Sequence, residues 1–172
     1  MDLLNALEAN ELEIVADDIT SPVAAALIGA LNTELAAGYS EAGANHFRLD
    51  PNEVAPGMGC FLVVRRRREP IGCGALRPLR DDESLRQLGP GVGELKRMYV
   101  ATDARGQGIG RALVARLEDE ARALGLTRLV LETGTRQAAA LALYRGLGFV
   151  DIPPYNEYVL SPATSVCLAK AL

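Results

Sequence analysis

The sequence predicts an α/β fold: one mixed, largely antiparallel, twisted sheet with helices on both faces. Three observations carry that expectation. Strand-like and helix-like segments alternate along most of the chain. The stretch 93–145 reads strand, helix, strand, helix, for which a right-handed parallel crossover is the natural connection. The chain has 172 residues, 49% hydrophobic and 23% charged, with no repeat or linker, enough for one core and a single domain over 1–172.

Glu11 to Ala16 reads as a short first strand. Ser21-Pro22 opens a helix, the serine as N-cap and the proline at the first helical position. Val23, Leu27, Leu31 and Leu35 then recur as one apolar stripe. Gly38 to Gly57 is irregular and holds the single histidine, His46. Cys60 to Arg65 and Ile71 to Leu79 are strands joined through Arg66 to Pro70 as a hairpin. The run Arg65 to Arg68 falls where a solvated turn belongs, with an anion or partner patch as the other reading. Asp81 to Gly91 reads as a loop and Gly93 to Val100 as a strand. In that strand the apolar phase slips between Leu95 and the pair Met98 and Val100, as a β-bulge or burial on both faces would produce.

Ile109 to Leu124 is the clearest helix. Ile109, Leu113, Leu117, Ala121 and Leu124 line one side, Arg111, Glu118 and Arg122 the other, and Gly125 closes it. Arg128 to Glu132 is a continuous apolar run ending in an acid, as in a buried parallel strand. A helix over Gln137 to Arg145 ends at Gly146, and Phe149 to Ile152 and Ser165 to Ala169 are the last strands.

Composition narrows the function. A net charge of −4 argues against a nucleic-acid partner. The best apolar run, Val23 to Leu31, is far short of the roughly 20 residues that a membrane helix needs. The first residues lack the positive region of a signal peptide, so a soluble cytoplasmic protein is expected. Three scattered cysteines without a CxxC, and one histidine, predict buried reduced thiols and no metal site. Two-fold pairing is the commonest assembly, so a homodimer is the default expectation.

The chemistry concentrates at Arg105-Gly106-Gln107-Gly108-Ile109-Gly110-Arg111, between a strand and the best helix. Glycines let the backbone turn with its N–H groups converging, and the helix N-terminus and two arginines add positive charge, so a diphosphate ligand is expected. A dinucleotide fingerprint needs a third glycine where Arg111 stands, and the Walker pattern's Gly-Lys-Ser/Thr is missing, which tells against a nucleotide-binding protein.

The pattern that fits is Arg-x-x-Gly-x-Gly, and here the chain resembles the GNAT acetyltransferase superfamily, in which this turn holds the pyrophosphate of acetyl-coenzyme A. Upstream, Glu94-Leu95-Lys96-Arg97-Met98-Tyr99-Val100 looks like the family's bulged fourth strand, whose backbone pairs with the pantetheine arm. Downstream, Gln137 to Tyr144 followed by Gly148-Phe149 looks like its Asn-x-x-Ala-x-x-Leu-Tyr-x-x-x-Gly-Phe segment, with Gln137 in place of the frequent asparagine. The likeness covers about 93–150 by motif; before position 90 it is one of topology.

The resemblance implies a parallel fourth and fifth strand that split apart, and acetyl transfer from acetyl-coenzyme A to a primary amine without an acyl-enzyme. It implies cofactor contacts from Met98, Tyr99 and Val100, from Arg105, Gly106, Gln107, Gly108, Ile109, Gly110 and Arg111, and from Gln137 and Tyr144. Backbone N–H groups around Met98 to Val100 would steady the oxyanion, and Tyr144 would protonate the departing thiolate. An alkylammonium needs a proton acceptor at neutral pH, and Glu94 and Glu132 are the candidates, with His46 a substrate-side alternative. Tyr155 and Tyr158 either rim the acceptor pocket or anchor the last loop. The acceptor, a small-molecule or protein amine, carries no motif. The reading from a different class is a non-catalytic acyl-coenzyme A-binding or sensing module, against which the presence of Tyr144 and Glu94 speaks.

Overall fold

A computed structural model describes residues 12–44 and 48–172. The predicted first strand is present as β1 (Leu12–Ala16), with Glu11 and His46 outside the described residues. Helix α1 (Pro22–Gly38) starts as expected, Ser21 accepting from the Ala24 N–H at 3.1 Å. A 3₁₀ turn follows at Pro51–Val54.

Strands β2 (Cys60–Arg66) and β3 (Glu69–Pro78) form the hairpin. Its loop is two residues long, Arg67 (φ 48°) and Arg68 (φ 70°), the pair of positive dihedrals that a twisted two-residue turn requires. The segment read as a loop holds a short helix, α2 (Asp82–Leu88). Asp81 caps it through the Ser84 N–H, and Asp82 and Glu83 suit its first turn, a start signal that outweighs the weak apolar pattern.

The rest comprises β4 (Val92–Val100), α3 (Ile109–Ala123), β5 (Arg128–Gly134), α4 (Ala138–Gly146), β6 (Val150–Ile152) and β7 (Ser165–Ala171). The seven strands lie in the order β1-β2-β3-β4-β5-β7-β6, with β4 and β5 parallel and every other pair antiparallel.

Alternation along the strands builds the two faces. Leu62, Val64, Leu76, Leu95, Leu129 and Leu131 pack against α3 and α4, while Phe61, Val63, Cys73 and Ala75 pack against α1. Glu118, expected on the solvent side of α3, is 8% exposed because it pairs with Lys170 of β7 at 2.5 Å.

The phase slip in β4 is a bulge. Cys73 pairs with Tyr99 and Ala75 with Lys96, so Gly74 alone stands opposite Arg97 and Met98, and Arg97 adopts φ 57°. Leu95 and Met98 consequently reach the same α3-side core, and Tyr99 turns to the α1 side. A Cβ on Gly74 would lie 2.6 Å from the Met98 sulfur and 3.1–3.2 Å from Leu117 and Leu113, so Met98 fills the space the glycine leaves.

One buried charge cluster ties segments around residues 53, 77 and 155–158 to this strand. Arg77 of β3 meets Glu94 of β4 at 2.7–2.8 Å and Glu53 at 3.0 Å, with Glu94 fully buried. The second Glu94 oxygen accepts from Tyr155 at 2.5 Å and from Tyr158 at 3.1 Å. Tyr155 precedes and Tyr158 lies within a 3₁₀ turn over Asn156–Leu160.

Two stability outcomes follow. Gly74→Ala overpacks the bulge and lowers the unfolding free energy by about 1–3 kcal/mol, read by urea denaturation. Arg77→Met leaves Glu94 charged, buried and short of its main partner, a loss of about 3–5 kcal/mol. A wild-type midpoint in either variant contradicts the packing described.

Candidate active site

The site begins where β4 and β5 part. Their pairing runs Val92↔Arg128 to Leu95↔Leu131 and stops there, at the bulge. Beyond it Ala101 donates to Ile71 O at 2.8 Å, so by strand alternation the Val100 N–H and C=O point away from β3. The Val100 carbonyl indeed accepts from Arg105 Nε at 2.8 Å.

The chain then turns through Thr102–Ala104 into the glycine segment. Gly106 (φ 73°) and Gly108 (φ 79°) adopt the left-handed conformation, and a Cβ at either would meet nothing within 4 Å. Their requirement is therefore dihedral, not steric. Gly110 differs: a Cβ there would stand 3.0 Å from Leu143, so the glycine lets α3 approach α4. Gly108 caps α3 with no side-chain acceptor, leaving the first-turn N–H groups to face a ligand.

A cavity of about 620 Å³ opens over this turn. It is lined by Met98, Tyr99 and Val100 from β4, by Arg105, Gly106, Gly108, Ile109, Gly110 and Arg111, and by Gln137 and Tyr144. Gln107 turns away, accepting from Arg66 at 2.6 Å and donating to Asp103 O at 3.3 Å. The small side chains of Ala138, Ala139 and Ala140 leave the opposite wall open. The size, the uncapped helix start and the arginines suit a long ligand with an anionic end. Arg105 itself pairs with Glu34 of α1 at 2.7 Å.

A second, smaller cavity of about 100 Å³ lies on the other side of the divergence. Lys96, Arg97, Glu132, Tyr39 and Tyr158 line it. Leu31, Met98, Gln137 and Tyr144 line both cavities and so mark where they meet. Tyr144 is 5% exposed, its ring edge-on to Phe149 at 5.7 Å. Burial raises its pKa and keeps the phenol protonated at neutral pH.

The two carboxylate candidates have different surroundings. Glu94 is enclosed by Arg77, Tyr155 and Tyr158 and lines neither of these two cavities. Glu132 of β5 faces the smaller cavity, and burial pushes its carboxyl up to about 7, against the opposing pull of Ser165 and Lys96. Tyr155 and Tyr158 anchor the last loop on Glu94, and Tyr158 also lines the smaller cavity. All three cysteines are buried and free, their thiols pushed up to about 12 by burial, and none lines either cavity.

Several lining residues had no sequence signal. Leu31, Glu34 and Tyr39 come from α1 and its end, far from any motif. Arg136 sits on the rim of the larger cavity, bound to Glu41, to Gly38 O at 2.9 Å and, through its N–H, to Tyr39 Oη at 2.7 Å. Its place directly before Gln137 was the available clue.

Residues 26–149 match the family model described as Acetyltransferase (GNAT) family. An IAA acetyltransferase of Azospirillum brasilense is 48% identical over 118 residues, 69% of this chain and 71% of that protein. A Klebsiella pneumoniae crystal structure assigned to the acyl-CoA N-acyltransferases is 32% identical with TM-score 0.73, covering 94% of this chain and 98% of the other. A GNAT family acetyltransferase from Elizabethkingia anophelis with acetyl-CoA bound shares the fold, with 21% identity, TM-score 0.64 and coverage of 94% and 98%. The chain spans less than half the length of rat and mouse N-acetyltransferase relatives that it matches. Because the matched span takes in both strands of the split and the whole glycine turn, the chain belongs to the acetyltransferase (GNAT) family.

Proposed function

We propose that this acetyltransferase moves the acetyl group of acetyl-coenzyme A directly to a primary amine, with both substrates bound together in one domain over 1–172. One observation carries the reading: two cavities of unequal size meet at Leu31, Met98, Gln137 and Tyr144, where the sheet opens. The larger one suits the cofactor. The first turn of α3, Arg105 and Arg111 would take its diphosphate, and the outward edge of β4 its amide arm. When bound, acetyl-coenzyme A supplies an activated thioester carbonyl.

The chain's own residues then have three tasks. The Val100 N–H, aimed away from β3, is placed to steady negative charge on the carbonyl oxygen. Glu132 takes the amine proton from the acceptor side, while Glu94 positions β4 through Arg77 and the two tyrosines. Tyr144, protonated and at the junction, donates to the departing sulfur. High thiol pKa values of about 12, and the fact that none of the three lines either cavity, argue against a cysteine acyl-enzyme. The reduced thiols also support a cytoplasmic setting, and no described helix is long and apolar enough to cross a membrane.

Acetyl-coenzyme A at 100 times its Kd should stabilise the protein by about 2.7 kcal/mol, with NAD and ATP giving no shift. A shift with NAD or ATP alone contradicts the cofactor assignment. Tyr144→Phe should lower kcat by about 10²-fold or more with the acetyl-coenzyme A shift retained; unchanged turnover removes the tyrosine from the chemistry.

A base that titrates near 7 works only when ionised. Activity should therefore fall about tenfold per pH unit below 7 and level off above it, and Glu132→Gln should abolish that break. A wild-type pH profile in Glu132→Gln would exclude the carboxylate as base.

A further inference from the structure

We propose that the acceptor is a free amino acid, whose carboxylate is held by Lys96 and Arg97 while its amine faces Glu132. This rests on the acyltransferase reading above and adds the substrate class.

The smaller cavity is the place to look, and its charged lining is Lys96, Arg97 and Glu132. Two cations and one carboxylate are the complement of a molecule with an anion beside its amine. Lys96 is 7% exposed, and its ammonium donates to Tyr158 Oη at 3.2 Å. The Glu157 carboxylate is 3.8 Å away, beyond hydrogen-bond reach. An ammonium carries three donors, so two of them find no acceptor among the described residues. Of its other anionic neighbours, Glu94 spends its oxygens on Arg77, Tyr155 and Tyr158, and Glu132 faces the cavity. The Lys96 ammonium thus has carboxylates nearby but none in hydrogen-bond contact, which leaves its two open donors to a ligand anion. Arg97, next along the bulge, donates to Asn32 Oδ1 at 2.8 Å and lines the same wall.

Position completes the argument. Leu95 and Leu131 are the last paired residues of the parallel strands, so Lys96 and Glu132 follow directly on the two sides of the split. A carboxylate on Lys96 then sets a neighbouring amine between Glu132 and the Tyr144 junction. The same charges disfavour a polyamine, whose second ammonium would meet two cations. A protein N-terminus has lost its carboxylate to the peptide bond, and a cavity of about 100 Å³ suits a compact head group.

The test compares amino acids (glycine, alanine, serine, methionine) with their carboxamides and decarboxylated amines, scored as kcat/KM by thiol release from acetyl-coenzyme A. The acid form of at least one should exceed its amide by about 10-fold or more, the scale of a charge-assisted hydrogen bond. Lys96→Met should bring that ratio towards one, chiefly through KM. A merely structural role for Lys96 lowers both forms alike and leaves the ratio intact, which overturns the proposal. Amides or simple amines turned over as well as the acids, or no member turned over while acetyl-coenzyme A still stabilises the protein, also overturn it. Loss of the acetyl-coenzyme A shift would instead overturn the parent reading.

Discussion

Parallel strands held side by side leave no room for a substrate, and in this fold the room comes from ending one pairing early. β4 and β5 stay hydrogen-bonded only to Leu95↔Leu131. The bulge directly after that point keeps β4 attached to β3 while rotating Met98 into the α3-side core. A glycine opposite the bulge makes the rotation possible, because any side chain at Gly74 would collide with Met98. Both cavities, the exposed strand edge and the tyrosine between them follow from that local irregularity.

The two sides of the opening are held differently. On the side proposed for the cofactor the anchoring is backbone geometry: left-handed glycines, an uncapped helix start and close α3–α4 contact at Gly110. On the side proposed for the acceptor it is buried charge. Arg77, Glu94, Tyr155 and Tyr158 fix the start of β4 to the C-terminal segment, and Lys96 and Glu132 sit at the margin of that cluster. Buried ion pairs add little net stability, yet they are costly to disrupt, so such a cluster serves better to hold geometry than to strengthen the fold. Helix α1 spans the two sides, joined to Arg105 through Glu34 and to Arg97 through Asn32.

The parts legible in the sequence were those with a local signature. α3 announces itself by period, and the glycine turn by dihedral needs that few residues other than glycine meet. The bulge showed as a phase slip between Leu95 and Met98, though the strand alone did not separate it from two-sided burial. α2 was missed because seven residues are too few for a period, even with a sound cap at Asp81. Burial of Glu118 depends on Lys170, 52 residues away, and Gln107 turns from the cavity towards Arg66, 41 residues away. Lys96 lay inside the strand read for its backbone, but which cavity it faces depends on the bulge and on Tyr158.

The proposed transfer across a junction shared by two cavities has both substrates present when the acetyl group moves. Initial rates measured against acetyl-coenzyme A at several fixed concentrations of an accepted amine test this most directly. Intersecting double-reciprocal lines, with no acetylated protein in the absence of amine, are the predicted result. Parallel lines together with a covalently acetylated chain would contradict direct transfer across the split.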